Sequence, residues 1–244
     1  MKISTNSNKN ALRFINAYNK IESALRAQNN YGTSVTYSEA VRRASRNNSI
    51  VRKYEDDLIS YGMLRNAIVH NSNDQFVIAE PFDDVVENYE HIAELICTPP
   101  LAINTPCVKQ VKCVDASLTL KEALIYMSKT GYSSFPVYND GMLVGVANAS
   151  KVSQEIGKRL SLGENITSLF NTHIENIVGH LGQESFYTIV DKNVTIDRVM
   201  DLFNENRKLM VVLITPRGSL VEVPIGIIAV SDLLEINKIL DDYK

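Results

Sequence analysis

Gly226-Ile227-Ile228-Ala229-Val230-Ser231-Asp232, an apolar run ending in a Ser-Asp pair, closes a segment that has an earlier counterpart in the same chain. Upstream of it stand Ile189-Val190-Asp191, Thr195-Ile196-Asp197-Arg198-Val199-Met200 and Val211-Val212-Leu213-Ile214. The counterpart reads Cys113-Val114-Asp115, Thr119-Leu120-Lys121-Glu122-Ala123-Leu124, Phe135-Pro136-Val137-Tyr138 and Gly145-Val146-Ala147. The offset is 76 residues at the Val-Asp pairs and at the threonines, and 81 at the glycines. The five extra residues fall in the second hairpin, whose loop Thr215–Val223 is longer than the Asn139-Asp140-Gly141 turn. A hairpin tip accepts insertion at small energetic cost, so one length change there preserves the repeat.

Each copy is expected to run strand, helix, strand, hairpin, strand, helix. Thr119 and Thr195 suit helix N-caps, and Glu122 three residues after Thr119 completes a capping box in the first copy alone. Val211–Ile214 and Ile225–Ala229 are almost wholly apolar, which predicts strands buried on both faces. A copy of about 50 residues buries little core alone. Two copies packed about a pseudo-two-fold axis bury more and leave clefts at their junction. The expected fold class is α+β: an N-terminal all-helical domain, then two βαββα repeats packed as a pair.

Residues 11–96 carry helical periodicity. Ala11, Phe14, Ile15, Tyr18, Ile21, Ala24 and Leu25 recur at spacings of three and four, and Asn29-Asn30-Tyr31-Gly32 supplies a stop. A second helix is expected from Ile50 to His70, stopped by Asn71-Ser72-Asn73-Asp74, and a third from Asp83 to Cys97. Pro99, Pro100 and Pro106 then break the pattern. The domains are set at residues 1–98 and 101–244, with repeats at about 107–161 and 184–244.

With 244 residues, 45% hydrophobic and 22% charged, the chain excludes a disordered or collagen-like protein. The longest strongly apolar run, Leu209–Ile214, is far below the ~20 residues a membrane-spanning helix needs. Residues 1–10 lack the apolar core of a signal peptide. Cys97, Cys107 and Cys113 form no CxxC pair, so no disulfide framework or zinc site is expected, and the expected location is the cytoplasm. Residues 1–53 carry ten Lys and Arg against two acids, a net +8, while residues 54–98 carry ten acids against Arg65 alone, a net −9. These stretches either present a basic face to a polyanion such as RNA or cancel as ion pairs.

Residues 101–244 resemble a tandem pair of cystathionine-beta-synthase (CBS) domains, on the strength of the repeated layout, Phe135-Pro136-Val137 and Gly226 to Asp232. The resemblance implies that Asp232 accepts hydrogen bonds from ribose hydroxyls, while Ser231 and the start of the following helix hold phosphate. It further implies that Thr188, Ile189, Val190, Met210 and Val211 enclose the base and that Arg207 and Lys208 reach phosphates. The expected ligand is an adenine nucleotide (AMP, ADP or ATP) or a related adenosyl compound, with no required cofactor and no metal. The first copy has Asn148 at the hydroxyl position and Lys151 at the Asp position; a lysine accepts no ribose hydrogen bond, so one nucleotide site is expected rather than two. Asp232 also suits a plain helix cap.

Arg65-Asn66-Ala67-Ile68-Val69-His70 lies at the end of the second long helix. At about 100° per residue, Arg65 falls on the apolar stripe between Tyr54 and Leu58, where a guanidinium is costly unless paired or set at a cleft. The segment resembles the HEPN superfamily of small helical, often dimeric domains, marked by Arg, a polar residue and a His. In catalytic members two copies cleave RNA without metal. The resemblance implies His70 as proton carrier, Arg65 as stabiliser of the phosphorane charge and Asn66 as orienter. The other reading is that Arg65 pairs with an acid such as Asp57 or Glu94 and His70 sits in a frayed helix end, near the favourable end of its dipole.

The sequence therefore leads to a nucleotide-responsive regulatory protein, a homodimer, in which the CBS-like pair controls a HEPN-like helical output domain. Two alternatives stand beside it: a metal-independent endoribonuclease gated by that pair, and a non-catalytic dimerising scaffold.

Overall fold

The computed structural model describes residues 9–29, 32, 34–70, 79–106, 108–181 and 186–242, with the side chains of Asn29, His70, His180, Leu181, Ile239 and Asp242 outside that description. The expected stops at Asn30-Tyr31 and at residues 71–74, and Cys107, also lie outside the described residues. Two compact units emerge. The first takes Met1–Pro100 with Thr195–Asp201 and Lys238–Lys244; the second takes Leu101–Val194 and Leu202–Asn237. Among the described residues no helix is long and apolar enough to cross a membrane.

The first unit is built on α1 (Lys9–Asn29), α2 (Tyr37–Ala44), α3 (Ser49–Lys53), α4 (Glu55–His70) and α5 (Asp83–Cys97). The single helix expected from Ile50 to His70 is two. Asn48 caps α3 by accepting the Val51 N–H, and Tyr54 ends it at φ −108°, ψ 20°. Glu55, Asp56 and Asp57 then open α4, placing three acids against the positive end of its dipole. Helix α2 carries a start signal of its own, because Thr36 Oγ1 accepts from the N–H of Glu39 three residues on.

An aromatic cluster forms this unit's core. Phe14 and Tyr89 stack at 4.7 Å, Tyr61 and Tyr89 at 4.7 Å, and Tyr18 and Tyr37 at 4.4 Å. The hydroxyls of Tyr37 and Tyr89 meet at 3.1 Å, and burial pushes both phenols well above their ordinary value. Tyr37 reaches this position because α4 offers Gly62, where a Cβ would lie 2.8 Å from the ring. The opposed charges of residues 1–98 partly cancel: Arg13 grips Glu90 through Nε at 3.0 Å and Nη2 at 2.6 Å. Arg26 and Arg43 pair with Glu22 and Glu39 on their own helices.

The second unit holds α6 (Leu120–Thr130), α7 (Ala149–Ser161), α8 (Ile166–Phe170), α9 (Ile174–Leu181) and two three-stranded sheets. The sheets are β1 (Val114–Asp115), β2 (Ser134–Asn139) and β3 (Met142–Asn148), then β4 (Tyr187–Asp191), β5 (Val211–Thr215) and β6 (Gly226–Ala229). Helix α10 (Ile196–Glu205) joins β4 to β5, and α11 (Leu233–Asp242) follows β6. In both sheets the first strand runs parallel to the second and the second antiparallel to the third. This shared pattern is the structural form of the sequence repeat. Phe135, Val137, Val146 and Ala147 from one sheet, Val211 and Leu213 from the other with Phe186 just before β4, and Leu169, Ile174, Ile177 and Val178 from α8 and α9 make one buried core.

Strand β5 is buried along its whole length, as its sequence requires, but β6 alternates between buried and half-buried residues. The reason is its place in the order β4-β5-β6: it is an edge strand. That edge is partly covered by Lys109, which forms an antiparallel bridge with Ile227 and donates its N–H to the Ile227 carbonyl at 3.2 Å. Gly226 makes the approach possible, since a Cβ there would lie 2.5 Å from Val108 Cγ1.

Candidate functional site

The end of β6 turns through a single 3-10 segment, Val230–Asp232, into α11. This turn lowers Asp232 into the protein, where it is only 5% exposed. Its Oδ2 accepts the Ala229 N–H at 2.8 Å, tying the carboxylate to the strand it follows. Its Oδ1 faces the other way and takes the Lys109 ammonium at 2.5 Å. The cap and the outward-facing acceptor, alternatives in the sequence, are thus the two oxygens of one side chain.

Asp232 borders a cleft of about 170 Å³. Lys109 to Lys112 form one wall, Gly131 to Ser134 another, and Ile227, Ala229 and Ser231 complete it beside Asp232. Two lysines, three serines and one buried aspartate therefore line it together with Val111, Ile227 and Ala229. Chemically, this set can accept from vicinal hydroxyls at the carboxylate and donate to an anion from the lysines and serines.

The sequence-predicted residues divide sharply. Ser231 and Asp232 line the cleft; Thr188, Ile189, Val190, Arg207, Lys208, Met210 and Val211 do not. Thr188, Ile189 and Val190 pair with Val212, Leu213 and Ile214 on β4, which β5 separates from β6. Met210 donates its N–H to Phe186 and accepts from Val230, Val211 is fully buried in the core, and Arg207 and Lys208 are exposed. The walls come instead from the first copy. Counting back the repeat offset of 76, Thr188 corresponds to Lys112, Arg207 to Gly131, Lys208 to Tyr132 and Met210 to Ser134, and all four of these line the cleft. Lys109 was outside every sequence motif; its place on the β6 edge is a tertiary feature.

In the first copy, the residue at the position of Ala229 is a helix cap. Asn148, 4% exposed, caps α7 by accepting from the N–H groups of Ser150 and Lys151 and donates to Ser134 Oγ at 2.9 Å. Lys151 lies 5.8 Å from the centre of the Phe186 ring. In sequence, Lys151 stands at the position that Asp232 takes in the second copy.

In the helical unit, Arg65 is half-buried with its guanidinium 4.8 Å from the centre of the Tyr18 ring. Its Nη1 donates to Asn66 Oδ1 at 3.3 Å, while its buried Nε has no hydrogen-bond partner among the described residues. An aromatic face, rather than Asp57 or Glu94, therefore meets this charge. Asn66 is exposed, and the His70 side chain lies outside the described residues. Among the described residues no group of three or more His, Cys, Asp or Glu side chains is placed to hold a metal ion.

Residues 103–157 match the family model of the CBS domain. No curated protein matches the chain in sequence. Among solved structures, a conserved protein from Pyrococcus horikoshii is 21% identical over 57% of this chain and 93% of its own, with a TM-score of 0.44. A CBS domain protein from Streptococcus pneumoniae is 14% identical over 67% of this chain and 96% of its own, with a TM-score of 0.41. The CBS domain of a bacterial CNNM/CorC family Mg2+ transporter, solved in complex with ATP, is 23% identical over 60% and 91%, with a TM-score of 0.41.

Proposed function

We propose that residues 101–244 form a CBS pair arranged about a pseudo-two-fold axis, that it binds an adenine nucleotide or related adenosyl ligand at Asp232, and that this ligand regulates a HEPN-like helical output domain. The observation that carries the reading is the 95% buried Asp232 carboxylate presenting one oxygen to a cleft with a basic, hydroxyl-bearing wall. The CBS match over residues 103–157 and the shared strand pattern of the two sheets support it. Regulation requires the ligand to prefer one arrangement of the protein over another. Calorimetric titration with AMP, ADP, ATP and S-adenosylmethionine tests the binding step. Heat from at least one, lost in Asp232→Ala, is expected; silence from all four ends the reading.

A second reading, a metal-independent endoribonuclease working as a homodimer, draws on Arg65. A half-buried guanidinium is the cation such a site needs beside a phosphate. Cleavage of RNA in chelator, abolished by Arg65→Ala and by His70→Ala, is its expected signature. Cleavage that survives both substitutions defeats it.

A further inference from the structure

Arg42 in the last turn of α2, Arg46 just beyond it and Arg52 in α3 form one exposed basic patch. Arg52 ties the patch together, since its Nε and Nη2 donate to the carbonyls of Ser45 and Arg46, each at 2.8 Å. On α5, Asp84, Glu87 and Glu94 are exposed along one helix face and line one groove. Among the described residues, none of these arginines and acids takes part in a salt bridge, whereas Arg43 pairs with Glu39 and Glu90 with Arg13. Phe82, 80% exposed, stands at the start of α5 beside the acids. The two patches abut: Lys53, the neighbour of Arg52 in the chain, reaches Asp241 at 2.7 Å, and Asp241 lines the same groove. All of these residues belong to the first unit.

We infer that this face joins two copies of the chain about a two-fold axis, the basic patch of each protomer seated on the acidic groove of the other. Charge complementarity selects the partner: arginines meet carboxylates, and a rotation about the Lys53–Asp241 border makes each contact twice. Because the patches share a border, the pairing closes as a dimer; on opposite sides of the unit they would build an open chain. Arginine suits the role, since its planar fork matches a carboxylate and can also stack on an aromatic face such as Phe82. Exposed pairs of this kind are individually weak and are screened within about 10 Å at ~0.1 M salt, so the dimer is sensitive to salt. It needs neither a nucleotide at Asp232 nor chemistry at Arg65, and so goes beyond both readings of function.

Sedimentation velocity of the full chain at ~0.05 M and ~0.5 M NaCl reads the assembly directly. Wild type is expected to dimerise at the lower salt and to dissociate at the higher. Arg42→Glu with Arg46→Glu, and separately Asp84→Lys with Glu87→Lys, are each expected to be monomeric. An equimolar mixture of the two is expected to form a heterodimer, because each patch again faces its opposite. Arg42→Gln with Arg46→Gln, and Asp84→Asn with Glu87→Gln, are milder and cover the case in which a reversed variant fails to fold. Each is expected to raise the dissociation constant by about tenfold or more at the lower salt. A dimer indifferent to salt and to these substitutions overturns the interface, as does a mixture of folded reversed variants that stays monomeric. A wild type monomeric at the lower salt overturns it too, and heparin binding by that monomer then assigns the arginines to a polyanion instead.

Discussion

Val108 lies directly over the α-carbon of Gly226, so close that a side chain on residue 226 would sit 2.5 Å from Val108 Cγ1. The contact presses the segment that carries Lys109 onto the edge of β6 and so sets one wall of the cleft. Gly226→Val forces the two segments apart. It is expected to cost about 1–3 kcal/mol of stability, the usual toll of overpacking, and to weaken ligand binding as well. Urea unfolding measures the first effect and calorimetry the second; a variant as stable as wild type refutes the close approach.

Asp232→Asn separates the two jobs of that residue. The amide oxygen can still accept the Ala229 N–H, and the half-exposed Lys109 can be hydrated, so stability is expected to move by less than about 1 kcal/mol. Binding of an anionic nucleotide is expected to fall by about tenfold or more, because the neutral amide is a poorer acceptor for the diol. Asp232→Ala, which also removes the cap, is expected to lose stability in addition. Melting curves of the two variants side by side give the comparison.

Asp201 supplies a pH dependence with a definite sign. Its carboxylate is 5% exposed and accepts from Ser49 Oγ at 2.5 Å. Burial pushes its pKa up, and Asp197 adds to the rise. The folded protein therefore holds this proton to higher pH than the unfolded chain, whose aspartates titrate near ~3.9. Between the unfolded and folded values stability falls as pH rises, and above the folded value the loss is complete. Asp201→Asn, which still offers Ser49 an oxygen, is expected to gain stability relative to wild type as pH is raised from about 4 to 7. A difference that shrinks over that range contradicts the assignment.

Arg65→Met keeps the length and apolar stem of the side chain while removing the charge. The stacking on Tyr18 is worth about 0.5–1 kcal/mol, and removing the unpartnered Nε works in the other direction. Net stability is expected to stay within about 1 kcal/mol of wild type by chemical denaturation. A larger loss shows that Arg65 is a structural keystone, which leaves its chemical role without support.

The repeat was legible because strand and helix periods survive divergence: Thr119 with Glu122 forms the expected capping box, and both sheets share one strand pattern. The break at Tyr54 was not, since the apolar stripe of residues 50–70 runs straight through it and only the acids Glu55, Asp56 and Asp57 that open α4 mark it. Helix α2 had a readable signal in Thr36 and Glu39 that the longer periodicities overshadowed. At the candidate site, Asp232 and Ser231 were visible because a motif carries them. The residues around them were not, because a cleft wall belongs to whichever strand edge lies beside it. Thr188 stands on β4, across β5 from β6, and Met210 leads into β5, while their first-copy counterparts Lys112 and Ser134 border the cleft. Lys109 follows no local pattern at all; its position is written by the open edge of β6.

The Lys109–Asp232 pair spans 123 residues of chain. As the polypeptide leaves the ribosome, Lys109 emerges long before its partner, and the wall waits for β6 to be made. No fragment that stops short of Gly226 can assemble the cleft, however well its first sheet folds. The cleft is therefore completed late in synthesis, by a contact between distant parts of the chain, and shorter nascent chains lack it.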